Sequence, residues 1–191
     1  IGKINGTLVG LVDGNYGNST STTGAFTMNT SYTNSGGWNN SHMRKTVLGS
    51  NSTSATSPAA NTLLAALPAD LRAVMKPATK YSDNTGGGYD TASYVTATTD
   101  WLFLLAEFEY HGSRRRYANS AEQNYQKQYD YYKAGNSKAH YRHDSTGTAV
   151  AAWTRSANVG NGGSFCLVNE DGTTAGINAD YSWALAPGFV V

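Results

Sequence analysis

The chain of 191 residues has a single cysteine, Cys166, so no intrachain disulfide can form. It lies in Phe165-Cys-Leu-Val168, an apolar strand-like run, and reads as a small buried hydrophobe rather than a reactive thiol. Charge is scarce too. Lys and Arg number 14 against 13 Asp and Glu, and the formal charge of +1 predicts no general attraction to nucleic acid or anionic membrane. No apolar run approaches the ~20 residues of a spanning helix, so membrane insertion is not expected. The chain opens on Ile1 without a basic stretch leading into an apolar signal core, and is expected to be processed or part of a longer chain.

Signatures of catalysis are equally thin. No Gly-x-Ser-x-Gly elbow occurs, so a hydrolase triad has no support. Gly86-Gly-Gly88 lacks the following Lys-Ser/Thr and helix of a phosphate cradle. Glu107 and Glu109 would point to opposite sides of an extended segment, which argues against paired acid/base carboxylates. His140 and His143 beside Asp144 invite a metal, but the segment lacks a helical pattern and no third distant ligand is identifiable. Arg114-Arg-Arg116 could bind an anion, although three like charges in a loop are commonly just solvated. An enzyme is not expected, nor is a cofactor or metal.

What the chain does have is Gly (21), Tyr (13), Ser, Thr and Asn, a mixture suited to binding through adaptable polar and rigid aromatic contacts. Five Asn-x-Ser/Thr matches arise by chance in such a composition and carry no glycosylation claim. Leu8-Val-Gly-Leu-Val12 and Ala25-Phe-Thr-Met28 are short apolar runs separated by the solvated tract 19–23. Residues 40–76 read as a helical subdomain with Leu, Val and Met core: a helix over 40–48 ended by Gly49, one opening at Pro58, and one restarting after Pro68. Segments 76–82 and 93–99 read as paired strands, Trp101-Leu-Phe-Leu-Leu105 as a central buried strand, and 106–111 as a turn or short helix. Ser120-Ala-Glu-Gln123 is a capping box that predicts a helix to about 134, with Tyr125, Tyr129 and Tyr132 as one stripe packed on the sheet.

The last stretch, 150–191, alternates apolar runs with Gly, Asn and Ser clusters, as strands joined by tight turns do. Asp171-Gly172 predicts a hairpin turn, and its carboxylates could also serve a calcium ion. Asn158, Asn161, Glu170, Asp171, Asn178, Asp180 and Tyr181 fall in connections expected to face solvent.

Gly36-Gly-Trp38, Met43-Arg44, Leu67-Pro68-x-x-Leu71, Lys76-Pro77-x-Thr79, Leu102-Phe-Leu-Leu-x-Glu107, Trp153-x-Arg155-Ser156, Phe165-Cys166-x-Val168-Asn169-x-x-Gly172 and Gly188-Phe189 follow in order. Over roughly 28–191 this resembles an uncharacterised domain family of gut Firmicutes and their (pro)phages with a C-type-lectin-like fold. Its closing region is similar to the ligand-binding end of phage tail adhesins diversified by retroelements. Thr154 and Ala157 stand where that family usually has Leu and Pro, and Ala184-Leu-Ala-Pro187 lacks its arginine. Formylglycine-generating enzymes share the scaffold but use a pair of cysteines, and the Glu-Pro-Asn or Gln-Pro-Asp of calcium-dependent lectins is absent.

The resemblance implies an α+β, C-type-lectin-like fold of short helices on small antiparallel sheets, with a strand-rich C-terminal region. Residues 28–191 would form the domain, and 1–27 a strand-and-loop segment joining it to a longer chain. It implies a receptor-binding or adhesion module of a phage tail or fibre, in the virion and outside the cell. Its partners would be a bacterial surface receptor (protein or glycan), other virion subunits and copies of itself, with no nucleic acid. Tyr181 and Trp183 would anchor the ligand, and Asn158, Asn161, Glu170, Asp171, Asn178 and Asp180 would hydrogen-bond it. Trp153, Arg155, Phe165, Cys166, Val168 and Phe189 would be frame. The alternative is a structural virion component, such as a decoration or tail-assembly module, whose C-terminal face contacts other subunits.

Overall fold

The structure, a computed structural model, describes residues 26–141 and 147–191. The expectations for Leu8 to Val12, the 19–23 tract, His143 and Asp144 fall outside the described residues. Short helices come first: α1 (Gly37–Asn40), a π-helical turn (Met43–Val47), α2 (Leu63–Ala66) and α3 (Ala69–Val74). The strands β1 (Ala78–Asp83) and β2 (Val95–Asp100) then pair antiparallel, from Ala78 with Asp100 to Asp83 with Val95. β3 (Phe103–Leu104), α4 (Glu107–His111), a 3-10 turn (Ser120–Asn124), α5 (Asp130–Lys133) and β4 (His140–Tyr141) follow. The C-terminal region holds β5 (Ala149–Val150), β6 (Ala152–Ala157), β7 (Ser164–Val168), β8 (Thr174–Asn178) and β9 (Pro187–Gly188).

The protein is thus mixed α and β, with short helices and small antiparallel sheets: β1-β2, β3-β9, β4-β5 and the three-stranded β6-β7-β8. Every residue of β6 and β7 is buried, whereas the edge strand β8 is half-buried throughout. Cys166 sits in the middle of β7 with no exposure, and burial pushes its thiol well above its usual range. One apolar core gathers Met28, Trp38, Met43, Leu64, Leu102, Trp153 and Phe165. The helices over 37–74 therefore share their core with the sheet rather than forming a subdomain of their own.

Two buried ionic networks explain several of the ordered motifs. Asp100, fully buried, accepts hydrogen bonds from Trp38 Nε1 (3.0 Å), Arg44 Nε (2.6 Å) and Thr98 Oγ1 (2.7 Å). Arg155, also fully buried, donates to both oxygens of Glu109 (2.5 and 2.9 Å), to Leu104 O (2.7 Å) and to Ser82 Oγ (2.8 Å). A register shift in β6 between Trp153 and Ala157 lies where Arg155 N donates to Leu105 O instead of to β7. Burial would raise the Glu109 carboxyl, but Arg155 and then Lys80 outweigh it and hold it below its usual range.

Several expected elements are shorter than predicted. The helix expected over 40–48 is α1, a break at Ser41 and the π-helical turn. Pro58 opens no helix; α2 begins at Leu63, where the Thr62 hydroxyl accepts from Ala65 N (3.3 Å). Val74 is exposed, not core. The central strand at 101–105 shrinks to two paired residues, although Leu102, Phe103 and Leu104 are buried. The helix expected over 120–134 is split: Asn119 rather than Ser120 caps the 3-10 turn, and Glu122 turns inward. The tyrosine stripe is therefore absent. Tyr125 stacks on Tyr81 at 4.3 Å, Tyr129 Oη accepts from Lys80 Nζ (2.9 Å), and Tyr132 packs on Tyr110.

Candidate functional site

The β6-β7 connection, 158–163, is folded onto Asn34, a residue more than 120 positions earlier in the chain. The fully buried Asn34 carboxamide donates through Nδ2 to the carbonyls of Asn158 (3.0 Å), Asn161 (3.1 Å) and Ser164 (2.8 Å). Its Oδ1 accepts from Gly87 N (2.7 Å), which ties in the glycine-rich turn between β1 and β2. Gly86 has φ 68, and a Cβ there would lie 1.9 Å from Asn34 O, so no other residue fits.

Beside this connection lies a polar pocket of about 290 Å³, lined by Tyr117, Asn158, Gly160, Asn161, Ser164, Gly176 and Asn178. Asn178 faces Ser164 across the β7-β8 pair at the end of the sheet. Asn158 Oδ1 accepts from Gly160 N (2.7 Å), and its Nδ2 donates to no described residue. Asn161 Oδ1 accepts from Gly163 N (2.9 Å), while its amide meets Tyr32 Oη (2.8 Å). Val159 N donates to Tyr117 O (2.9 Å), which holds that tyrosine against the connection. Missing side chains make room for both rings: a Cβ on Gly163 would lie 2.2 Å from the Tyr32 ring, and one on Gly176 3.0 Å from Tyr117. Carboxamides between two tyrosines offer donors and acceptors to a polyhydroxylated or amide-bearing ligand.

The structure thus brings together Asn158, Asn161 and Asn178 and separates the other expected residues from them. Glu170 and Asp171 occupy the β7-β8 turn, at the opposite end of a strand pair spanning roughly 13 Å. Asp171 Oδ1 is engaged by Thr173 N (2.9 Å) and Thr173 Oγ1 (2.6 Å), and these bonds lower its carboxyl pKa. Trp183 is not an exposed anchor. Its indole packs half-buried on the core because Trp183 N is drawn to Phe26 O (3.3 Å). Asn158 also departs from expectation, being 4% exposed rather than in a solvated connection. Tyr181 and Asp180 are half-buried past the end of β8, and Asp180 Oδ1 is buried without a hydrogen-bond partner. Among the described residues, no group of three or more His, Cys, Asp or Glu could hold a metal ion.

The sequence profile of DUF6273, a domain of unknown function, matches residues 18–191. The chain belongs to this family. No curated protein and no solved structure matches it. For this DUF6273 chain, Asn34, Tyr32, Tyr117 and Ser164 are the site residues that the sequence did not point to. Tyr117 has a weak signal, an aromatic residue directly after three arginines. Asn34 reads only as the start of an Asn-Ser-Gly-Gly turn, with nothing to indicate where its carboxamide goes.

Beneath the site lie two buried carboxylates, Glu107 and Glu122. Glu107 Oε1 accepts from the backbone of Arg115 (2.7 Å) and Arg116 (3.0 Å), fixing the loop that leads into Tyr117. Glu122, fully buried, accepts from Asp83 N (2.9 Å), Ser156 Oγ (2.9 Å) and Gln126 Nε2 (3.0 Å). Burial pushes its carboxyl up to about 7 despite those donors and Arg155. Both are closed off by protein groups, so they organise the scaffold under the pocket.

Proposed function

We propose that this domain is a C-type-lectin-like receptor-binding or adhesion module, carried on a phage tail or fibre, which holds a bacterial surface ligand without transforming it. The observation that carries the reading is the pocket at the end of the β6-β7-β8 sheet, lined by three carboxamides and Tyr117, with Tyr32 Oη bonded to Asn161 beside it. Amide groups pair with ligand hydroxyls and amides through two directional bonds each, and tyrosines add rigid contact area at little entropic cost. The site residues are Asn158, Asn161, Asn178, Ser164, Tyr117 and Tyr32, with Asn34 as the residue that positions them.

The test is binding of the labelled domain to a panel of bacterial cells, comparing the native chain with the double variant Asn161→Ala/Asn178→Ala. Loss of binding to every strain that the native domain labels is expected; equal labelling would remove the reading. A second reading, a structural virion component, draws on a different surface. Tyr125, stacked on Tyr81, and Tyr129, bonded to Lys80, are exposed at the edge of β1, and Tyr131 is exposed on α5, as suits a contact between subunits. Tyr125→Ala/Tyr131→Ala that prevented incorporation into particles while sparing cell binding would favour that role.

A further inference from the structure

The pocket wall carries no carboxylate. Its lining residues are tyrosine, asparagine, serine and glycine. Its rim is different. Arg116 is exposed, and its guanidinium lies 5.4 Å from the centroid of the Tyr117 ring that forms one wall. The loop that presents it is fixed by the buried Glu107 carboxylate, which accepts from the backbone N–H groups of Arg115 and Arg116, while both side chains are exposed. Arg114 is already paired with Asp90 at 2.9 Å, whereas no carboxylate among the described residues pairs with Arg115 or Arg116. The surroundings have the same sign. Residues 111–141 contain six Lys and Arg against two acids, Asp130 and Glu122, in a chain whose formal charge is only +1. Glu122 is sealed inside the fold. The exposed acids of the β7-β8 turn, Glu170 and Asp171, lie at the far end of the hairpin. Asp180, two residues past Asn178, is the nearest acid in sequence, and one of its oxygens is buried.

An arginine lying against a tyrosine ring keeps its N–H edges available for a planar or tetrahedral anion, and the ring holds the fork in place. We propose that the ligand of this pocket is an anionic glycan, a polyhydroxylated chain bearing carboxylate or phosphate. Its hydroxyls meet Asn158, Asn161 and Asn178, and its negative charge meets Arg116, with Arg115 beside it. The inference rests on the reading of the pocket as the binding site. Nucleic acid shares the phosphates but needs free aromatic faces on which to stack bases. Here Tyr32 lies over Gly163, and Tyr117 lies between Gly160, Gly176 and Arg116.

The experiment measures binding of the whole chain to polygalacturonate, poly(glycerol phosphate), neutral dextran and poly-dT, each at low and high salt. At least one of the two charged glycans is expected to bind more tightly than dextran and poly-dT and to weaken as salt rises. Which of the two binds identifies carboxylate or phosphate as the recognised group. Arg116→Ala is expected to reduce that affinity about tenfold, as the loss of one charge-assisted contact does, and Arg115→Ala/Arg116→Ala to reduce it further. Both arginines are exposed, so these variants should keep the native circular dichroism. Asn161→Ala/Asn178→Ala should abolish binding of the same polymer. Equal binding of dextran, or an unchanged affinity in the arginine variants, would overturn the anionic inference while leaving the pocket reading intact. Loss in the arginine variants with full binding in the asparagine variant would overturn both. Preference for poly-dT, or binding of none of the polymers, would overturn the inference.

Discussion

Two single residues hold more of this molecule than their size suggests. Asn34 donates to three carbonyls and accepts one N–H while fully buried, so Asn34→Ala leaves several backbone groups without partners. Such losses cost about 1–3 kcal/mol for each unsatisfied buried group, reduced where the loop can relax towards water. Asn34→Ala is therefore expected to lower denaturant stability by about 2–3 kcal/mol and to weaken pocket binding. Asn34→Asp should do no better, because a carboxylate has no hydrogen to donate. Stability of Asn34→Ala within error of the native chain would show that the connection is held by something else.

Glu122 belongs to the same scale, and its effect has a definite sign. Folded, it keeps its proton up to about pH 7, against an ordinary value of 4.5. Across that interval the folded state binds more protons than the unfolded state, so Glu122's contribution is complete below 4.5 and lost as pH rises to about 7. His42, His111 and His140, each lowered first by burial, act the other way: their contribution is present above 6.5 and is lost as pH falls below it towards their lowered folded values. The native chain therefore shows only the sum. The difference from Glu122→Gln isolates the carboxyl. The native chain's stability relative to that variant should fall between pH 5 and 7 and level off above, as measured by melting temperature. A difference independent of pH would refute this.

At the scale of elements, β6 shows how a strand is bent to serve a charge. Its register shift sends Arg155 to Glu109 on α4 while Trp153 and Ala157 keep their pairing with β7. Breaking one side of a buried pair commonly costs about 3–5 kcal/mol, whereas replacing both partners with apolar groups costs far less. Glu109→Gln and Arg155→Met should each be severely destabilising, and Glu109→Leu/Arg155→Met less so than the sum of the single changes. Additive losses in the double-mutant cycle would deny the coupling. The hairpin β1-β2, the helix α4 and the strands β6 and β7 were legible because alternation, apolar runs and turn residues act locally. The helix expected over 120–134 was misread because its signals were outbid by tertiary contacts: the Glu122 carboxylate is drawn inward by Asp83 N, Ser156 and Gln126. The same limit applies to the site. Asn158, Asn161 and Asn178 could be picked out as polar residues at strand ends, but Asn34, Tyr32 and Tyr117 join them only through long-range packing.

At the scale of the whole molecule, sheets of two strands are marginal on their own, and among the described residues three of the four sheets are of that size. They are held by a shared core and by bonds between distant segments. Asp100 on β2 binds Trp38 and Arg44, Lys76 N donates to Val190 O (2.8 Å), and β3 pairs with β9 across more than eighty residues. Removing one such tie should weaken every element together. Trp38, Trp101, Trp153 and Trp183 are spread over both halves of the chain, so their fluorescence reports on the whole fold. Thermal unfolding followed by tryptophan fluorescence and by far-ultraviolet circular dichroism should give coincident single transitions. Asp100→Asn should move both to lower temperature by the same amount. If the dichroism of the helical segments were lost first, with fluorescence from the sheet persisting, residues 37–74 would be a unit with its own stability, and the shared core would not be what makes the molecule cooperative.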